Sequence, residues 1–406
     1  MGGFGSAPSM LPPVAADPFA AARERGDGRL RWTFQHIGDL VPTARIGHGT
    51  VAGPELPFTD YRPDRLRVVL PSGGTASVAQ VMDLTDTNGW TVLHDDPRTG
   101  PSVLVERYVP EMTPATPHLL MSVTKSVAGI VAGALAGRGL LHLEAPVTYY
   151  VPALMASGYN GATVRHLLDM RSGVRFREDY LDPSADVNVI EQAFGWVPRR
   201  SPDVPATLRE FLLRLRQEGP HGGPFLYRSC ESDVLGWVLE AATGARFADL
   251  AADLVWSRIG ARHDANIGVD AEGSAMCDGG MSATLSDLAR FGLMLLRGGT
   301  SLTGAEVVPG WWMQDTLLGG PDSAEAFAAS PGDNRMPGGF YRNQFWIPDV
   351  RRPVLLGLGI HGQMLYVNLR ARVVAVKLSS WPVPQDAYRL FSTVAAFDAI
   401  AAHVSP

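Results

Sequence analysis

The stretch His118-Leu-Leu-Met-Ser-Val-Thr-Lys-Ser-Val-Ala-Gly-Ile130 constrains this chain more than any other. From Val127 it runs Val-Ala-Gly-Ile-Val-Ala-Gly-Ala-Leu without a charge. A helix with no polar face has to be buried, so the body must be built around it. Ser122 and Lys125 stand at its start, three residues apart and on one helix face. A serine at a helix N-terminus holds its hydroxyl beside the orphan N–H groups of the first turn. A neutral amine at Lys125 can take the serine proton, whereas an ammonium cannot. Lys125 as base therefore requires a pKa lowered by roughly 3 units from about 10.4, with burial or a nearby cation as the cause. Ser-x-x-Lys alone has two fixed positions and recurs by chance, so the rest of the chain has to supply the site.

With 406 residues the chain can bury a large core, as one large two-part domain or two domains. Its net charge is −6 and it has no basic run, which argues against nucleic acid as a partner. No apolar stretch reaches the length of a membrane span. Met1-Gly-Gly-Phe-Gly-Ser-Ala-Pro8 lacks the basic and apolar regions of a signal peptide. Cys230 and Cys277 read as reduced thiols, and the whole as a cytoplasmic protein. The histidines are dispersed and no Cys/His spacing suits a metal, so neither metal nor cofactor is expected.

Residues 1–30 read as a flexible N-terminal arm, and Arg31 to about Pro63 as an irregular segment wrapping the body. Arg67-Val-Val-Leu70 reads as a strand and Ala76–Leu84 as a short helix. Trp90–His94 and Ser102–Tyr108 form a hairpin signal around Asp95-Asp-Pro-Arg-Thr-Gly100, with Asp95 and Asp96 at a solvated tip. Helix patterns dominate residues 140–270, including Ser232–Thr243 with Gly244 past its end. Ser282–Leu296 is a further amphipathic helix. Strand patterns return at Val354–Ile360, Met364–Asn368 and Arg372–Leu378, followed by a terminal helix over 385–404. The expected architecture is α/β of the α+β kind: an antiparallel sheet from both chain ends, flanked by helices, with an inserted all-helical subdomain. The sheet part takes 31–139 and 271–406, and the helical part 140–270. Ser122 falls at their junction, where clefts form.

Two further constellations could serve Ser122. Tyr227-Arg-Ser229 reads as extended chain just before a helix, so both side chains point the same way. A phenol there can pass a proton; it can equally be a packed aromatic. Gly357-Leu-Gly-Ile-His-Gly362 allows close backbone approach, either for an oxyanion hole or for a tight hairpin. Trp196, Trp311, Trp312 and Trp346 read mainly as packing residues, and Cys230 as a buried small one.

Ser122-Val-Thr-Lys125, then Tyr227-Arg-Ser229, then a Gly-rich late strand, in this order, resembles the class C-like branch of the serine β-lactamase and penicillin-binding-protein superfamily. The 6-aminohexanoate-dimer (nylon-oligomer) hydrolase group is the nearest resemblance. It is carried also by Arg31-Trp-Thr-Phe-Gln-His-Ile-Gly38, Glu178-Asp-Tyr-Leu-Asp-Pro183, Tyr227–Trp237, Gly359-Ile-His-Gly-Gln363 and Val376-Lys-Leu-Ser-Ser-Trp-Pro382, and spans about residues 30 to 395. The resemblance implies Ser122 as acylated nucleophile, Lys125 as its base and Tyr227 as proton relay. It implies the N–H groups of Ser122 and Ile360 as oxyanion donors. Tyr180 matches a tyrosine on a loop over the site. Glu191, Asp278, His361 and Ser229 are the remaining substrate-binding expectations, Glu191 and Asp278 toward a cationic substrate end; His361 reads equally as a capped turn residue. The chain departs from β-lactamases in lacking Lys-Thr-Gly, whose lysine recognises a carboxylate. It also carries Ser229 where Asn is usual.

The resemblance thus implies a serine hydrolase working through an acyl-enzyme on linear amides of the 6-aminohexanoate oligomer type and short-chain carboxyl esters. The alternatives are an enzyme that is mainly a carboxylesterase, and an acylated sensor or binding protein without turnover. A small-molecule amide or ester is the expected partner, and a homodimer is left open.

Overall fold

A computed structural model describes residues 29–330 and 336–405. All but the last two residues of the expected N-terminal arm lie outside this range. The main sheet has seven strands, all antiparallel. It takes β4 (Thr87–Asp96) and β5 (Gly100–Tyr108) from the first part of the chain. The late part supplies β9 (Phe340–Arg342), β10 (Phe345–Ile347), β11 (Val354–Gly359), β12 (Gln363–Asn368) and β13 (Val373–Ser379). The order β5-β4-β13-β12-β11-β10-β9 places β4 beside β13, so the two chain ends meet inside one sheet. β12 and β13 are almost wholly buried, and their runs of Val, Leu and Ala read accordingly.

Helices cover the sheet. Those used below are α1 (Arg29–Gln35), α2 (Val78–Leu84), α3 (Val123–Gly137), α4 (Asp186–Phe194), α5 (Ser229–Thr243), α6 (Leu285–Leu296) and α7 (Ala387–Val404). Sequence dictates their ends. Ser77 and Gln80 make a reciprocal capping box at α2, and Thr284 caps α6 by accepting from Asp287 N. Gly244 ends α5 at φ 75°, the left-handed conformation that glycine adopts without penalty. Among the described residues no helix is long and apolar enough to cross a membrane. Cys230 and Cys277 are free and buried.

Three readings of the sequence need correction. The segment from Arg31 to Pro63 is not simply irregular: it holds most of α1, a helical turn at Ile37–Leu40, and the strand β1 (Thr43–Ile46). β1 starts a second, four-stranded sheet with β6 (His118–Leu119), β7 (Ala265–Gly268) and β8 (Met281–Ala283), in the order β1-β7-β8-β6. These strands are too short for their periodicity to show, and they draw on both sides of the boundary expected at 270/271. Ser282 and Ala283 accordingly lie in a strand, ahead of α6. Asp95 is not solvated: it is buried and clamped by Arg297 (3.0 and 2.6 Å) and by Arg372. Both arginines are distant in sequence, so the hairpin's local chemistry could not reveal them.

α3 is buried along nearly its whole length. It can be so because its glycines admit backbone and rings. A Cβ at Gly129 would sit 2.3 Å from the carbonyl oxygen of Asn343, and one at Gly133 would sit 2.6 Å from the Trp312 ring. Asn343 and Gln344 form the tip of the β9–β10 hairpin, both at positive φ and both buried. The tip is wedged between helices. Ser126 of α3 donates to Gln344 O (3.0 Å), and Ser232 of α5 donates to Gln344 Oε1 (2.7 Å). Gln344 thus ties together the two helices that carry the candidate site. In a free helix Gly→Ala stabilises by about 1 kcal/mol. Gly129→Ala should instead destabilise by about 1–3 kcal/mol through overpacking. Thermal unfolding checks this; an unchanged or higher Tm would mean that the hairpin tip yields freely.

Candidate active site

Ser122 stands between β6 and α3, where the chain turns from the second sheet into the buried helix. Met121 just before it has φ 46°, a left-handed conformation that costs a residue with a Cβ about 1–3 kcal/mol. That turn leaves Ser122 partly exposed while Val123 to Leu135 are buried. Ser122 makes no side-chain capping bond, so its hydroxyl is available for other partners.

Lys125 Nζ donates to Ser122 Oγ at 2.9 Å. It also donates to Ser229 Oγ at 3.3 Å and, by a short contact, to the backbone carbonyl of Asp278. Tyr227 completes the group. Its ring centroid is 5.2 Å from Lys125 Nζ, and its phenol has Ser122 and Lys125 as hydrogen-bonding neighbours. Trp346 stacks on the Tyr227 ring at 5.3 Å, and Tyr341 meets it edge-on at 6.1 Å. Trp346 is therefore a wall of the site rather than remote packing. Trp196 and Trp312 are buried as expected, and Trp311 is half exposed.

Ser229 differs from the extended placement expected of it. It opens α5, with Arg228 as the extended N-cap residue. Its hydroxyl donates to Glu178 Oε1 at 2.6 Å and its backbone N–H donates to Oε2 at 2.9 Å. Tyr180 donates to the same Oε1 at 2.6 Å. Glu178 thus joins the segment that carries Tyr180 to the helix that faces Lys125. Sequence reading quoted Glu178 without giving it a role. The only signal was a carboxylate two residues from the tyrosine, and its partner lies 51 positions away.

The end of the glycine-rich strand β11 packs against the turn before Ser122. A side chain at Gly359 would come within 2.7 Å of Leu120 O and 3.0 Å of Met121 Cβ, so the end of β11 lies against the residues before Ser122. Ile360 follows directly. His361 does not line the site. It is buried, its Nδ1 lies 2.6 Å from Trp381 O, its N–H donates to Pro384 O, and its ring meets Phe34 of α1 at 5.4 Å. Its positive φ turns it inward. Asp278 is buried beside Lys125, which its backbone carbonyl accepts from. Glu191 lies half-buried on α4, which begins six residues after Tyr180.

The electrostatics overturn one expectation. Burial pushes the Lys125 ammonium down, but Tyr227, Asp278, Glu178 and Asp233 together push it up, and the net direction is upward. Lys125 therefore rests as an ammonium, not as the amine that its apolar helix suggested. Sequence could reveal the burial but not the three carboxyl groups from other elements. Burial also raises Tyr227, against the pull of Lys125. Burial raises Glu178, opposed by Lys125 and the bonds from Ser229 and Tyr180. Serine deprotonation thus needs a form of the Lys125–Tyr227 pair with one proton fewer, amine or phenolate.

Glu178→Ala should free the Tyr180 segment. Amide hydrogen exchange across 177–182 is expected to speed up at least tenfold while α3 keeps its protection; unchanged exchange would show that Glu178 does not hold it.

The beta-lactamase family model matches residues 99–397. A 6-aminohexanoate-dimer hydrolase of Paenarthrobacter ureafaciens is 40% identical over 354 residues, covering 87% of this chain and 86% of that protein. Among solved structures, a candidate 6-aminohexanoate-dimer hydrolase of Bacillus anthracis superposes with a TM-score of 0.83 at 25% identity, covering 93% of this chain and 95% of that one. A family VIII carboxylesterase shares the fold at a TM-score of 0.56 and 16% identity, covering 79% of this chain and 96% of that one. By the extent of the family match and by its identity to a curated member, the chain belongs to the beta-lactamase family, a family of hydrolases.

Proposed function

We propose that this hydrolase works through an acyl-enzyme at Ser122 and cleaves linear amides of the 6-aminohexanoate oligomer type together with short-chain carboxyl esters. The observation that carries the reading is the 2.9 Å contact from Lys125 Nζ to Ser122 Oγ with Tyr227 beside both. The 40% identity to a 6-aminohexanoate-dimer hydrolase supports the substrate class.

In this mechanism Ser122 Oγ attacks the carbonyl carbon and its proton passes to the deprotonated Lys125–Tyr227 pair. The carbonyl π electrons move onto oxygen, where the N–H groups of Ser122 and Ile360 hold the charge. As the tetrahedral intermediate collapses, the C–N or C–O bond breaks. Tyr227 returns the proton to the leaving nitrogen or oxygen, with Lys125 resupplying it. Water then attacks the acyl ester, and its proton follows the same path back to Ser122. An amine leaves only when protonated, whereas an alkoxide needs less help, so amides place the greater demand on Tyr227 and Tyr180. Glu191 is the carboxylate proposed for a substrate ammonium, and Ser229 holds Lys125 in place.

The decisive experiment compares the protein and Ser122→Ala. A fluorophosphonate should label only the former, and turnover of a p-nitrophenyl ester and of 6-aminohexanoate dimer should fall by at least about 10³-fold in the variant. Labelling that survives in Ser122→Ala would remove Ser122 as nucleophile. Labelling without turnover of either substrate would favour an acylated sensor. Glu191→Ala should harm the dimer more than the ester, and equal losses would contradict an ammonium role.

The pH dependence follows from the resting ammonium. The reacting form has lost one proton, and both Lys125 and Tyr227 are held above their ordinary values. kcat/KM for an ester should therefore rise about tenfold per pH unit through the neutral range and level off only in alkali. A profile flat from neutral pH upward would mean that the amine already predominates.

A further inference from the structure

Two buried carboxyl groups lie close to Lys125. Asp233 lies in the second turn of α5, and Asp278 lies just ahead of β8. Both are more than nine-tenths buried. Asp278 N–H donates to Asp233 Oδ1 at 3.0 Å, which sets the Asp233 carboxyl against the Asp278 backbone within reach of the Asp278 charge, and Asp278 O accepts from the Lys125 ammonium. The remaining oxygens do not fit two ionised groups. Asp233 Oδ2 and Asp278 Oδ1 are both buried without a hydrogen-bond donor. The Ser229 hydroxyl stands beside Asp278, but it has one proton, and Glu178 takes it at 2.6 Å.

Two adjacent carboxylates in a buried site, each with an oxygen that no donor reaches, repel one another and lack solvation. Placing one proton on the pair supplies a donor and removes the repulsion. We propose that Asp233 and Asp278 share a single proton, acting as a carboxyl–carboxylate pair of net charge −1 that positions Lys125 and fixes its charge state. Both residues are positioning residues, since neither touches the reacting atoms. The inference rests on the serine-hydrolase reading only for its kinetic consequence.

The groups facing the pair agree with this charge. Lys125 approaches from α3, Glu178 and Tyr180 from the 171–185 segment, Tyr227 from the turn before α5, and Cys277 lies beside Asp278 in the chain. Arg209 lines the cavity at Asp233 but is paired there with Glu240 at 2.8 Å, so Lys125 is the cation left to the pair. With all three carboxyls ionised the cluster would carry a buried excess of two negative charges. One shared proton halves that excess and leaves Lys125 matched by the pair. Burial and the neighbouring Asp278 push Asp233 far above the usual carboxylate range, and burial pushes Asp278 up as well.

A shared proton has an arithmetic that independent carboxylates lack. Asp278→Asn leaves Asp233 alone and ionised, so the local charge stays at −1; Asp233→Asn does the mirror image. The double variant removes the charge altogether. Infrared difference spectra of the folded protein at neutral pH, wild type minus each single variant, should show the loss of one protonated-carboxyl C=O band and no loss of carboxylate bands. Loss of a carboxylate band with the C=O band unchanged, in both single variants, would overturn the proposal. This readout needs no activity, so it stands even if Ser122→Ala shows that the hydrolase reading is wrong.

Kinetics gives the second arm. The single variants should keep the rising limb of the ester kcat/KM profile within about 0.3 pH unit of wild type, and the double variant should move it about one unit or more to lower pH. Equal shifts in the two single variants that sum to the double-variant shift would equally overturn the proposal. Should one asparagine variant fail to fold, the other, with the wild-type spectrum, still decides between one proton and none.

Discussion

The ammonium of Lys125 in a dry interior is the constraint from which the site follows. A lone buried cation is costly and would shed its proton. Here it is retained because Tyr227, Ser229, Glu178, Asp233 and the Asp278 carbonyl converge on it from three separate stretches of chain. Ser229, Asp233 and Asp278 are buried and Tyr227 and Glu178 partly so, and each depends on the others. Removing the lysine would strand several negative or polar groups, a loss larger than that of any single contact. The same arrangement sets the chemistry. A lysine held toward the ammonium is a proton donor, and the lysine–tyrosine pair can accept a proton only after losing one.

Packing keeps these stretches in register. α3 has almost no exposed surface, and its glycines let the β9–β10 hairpin tip and Trp312 press against its backbone. Gln344 then bonds to α3 and α5 at once. Ser122 and Lys125 ride on one of these helices, and Tyr227 and Ser229 stand at the head of the other. A wedge of neutral hydrogen bonds, starting one residue beyond Lys125, therefore holds the two site-bearing helices together. The strained Met121 is tolerated because the strand before it and the helix after it are both held.

Much of the fold was legible. The long hairpin, the late meander, the capped helices and the apolar helix all announce themselves by period and punctuation. The second sheet did not, because two to four residues carry too little periodicity. Asp95 was misread for a related reason: its arginines come from positions 297 and 372. At the site, Ser122, Lys125 and Tyr227 were found by type and order, and the structure brings them together. His361 reads from sequence as either a lip of the pocket or a turn residue, and its positive φ in the turn after β11, which letters cannot give, belongs with the second. Glu178 and Asp233 were overlooked as roles because each looks like an ordinary acidic residue until its neighbours are known.

The Ser-x-x-Lys motif at the head of an apolar helix, the two sets of strands and the ordered blocks that mark the family are properties of local sequence. Helix spacing, strand alternation and turn chemistry act within a few residues, so the sequence by itself determined them. The protonation of Lys125, the burial of Asp278 and His361, the clamp at Glu178 and the wall at Trp346 were decided only by the tertiary structure. Each depends on charge, desolvation or ring contact between groups dozens to hundreds of residues apart. Those energies exist only once the chain has closed around them.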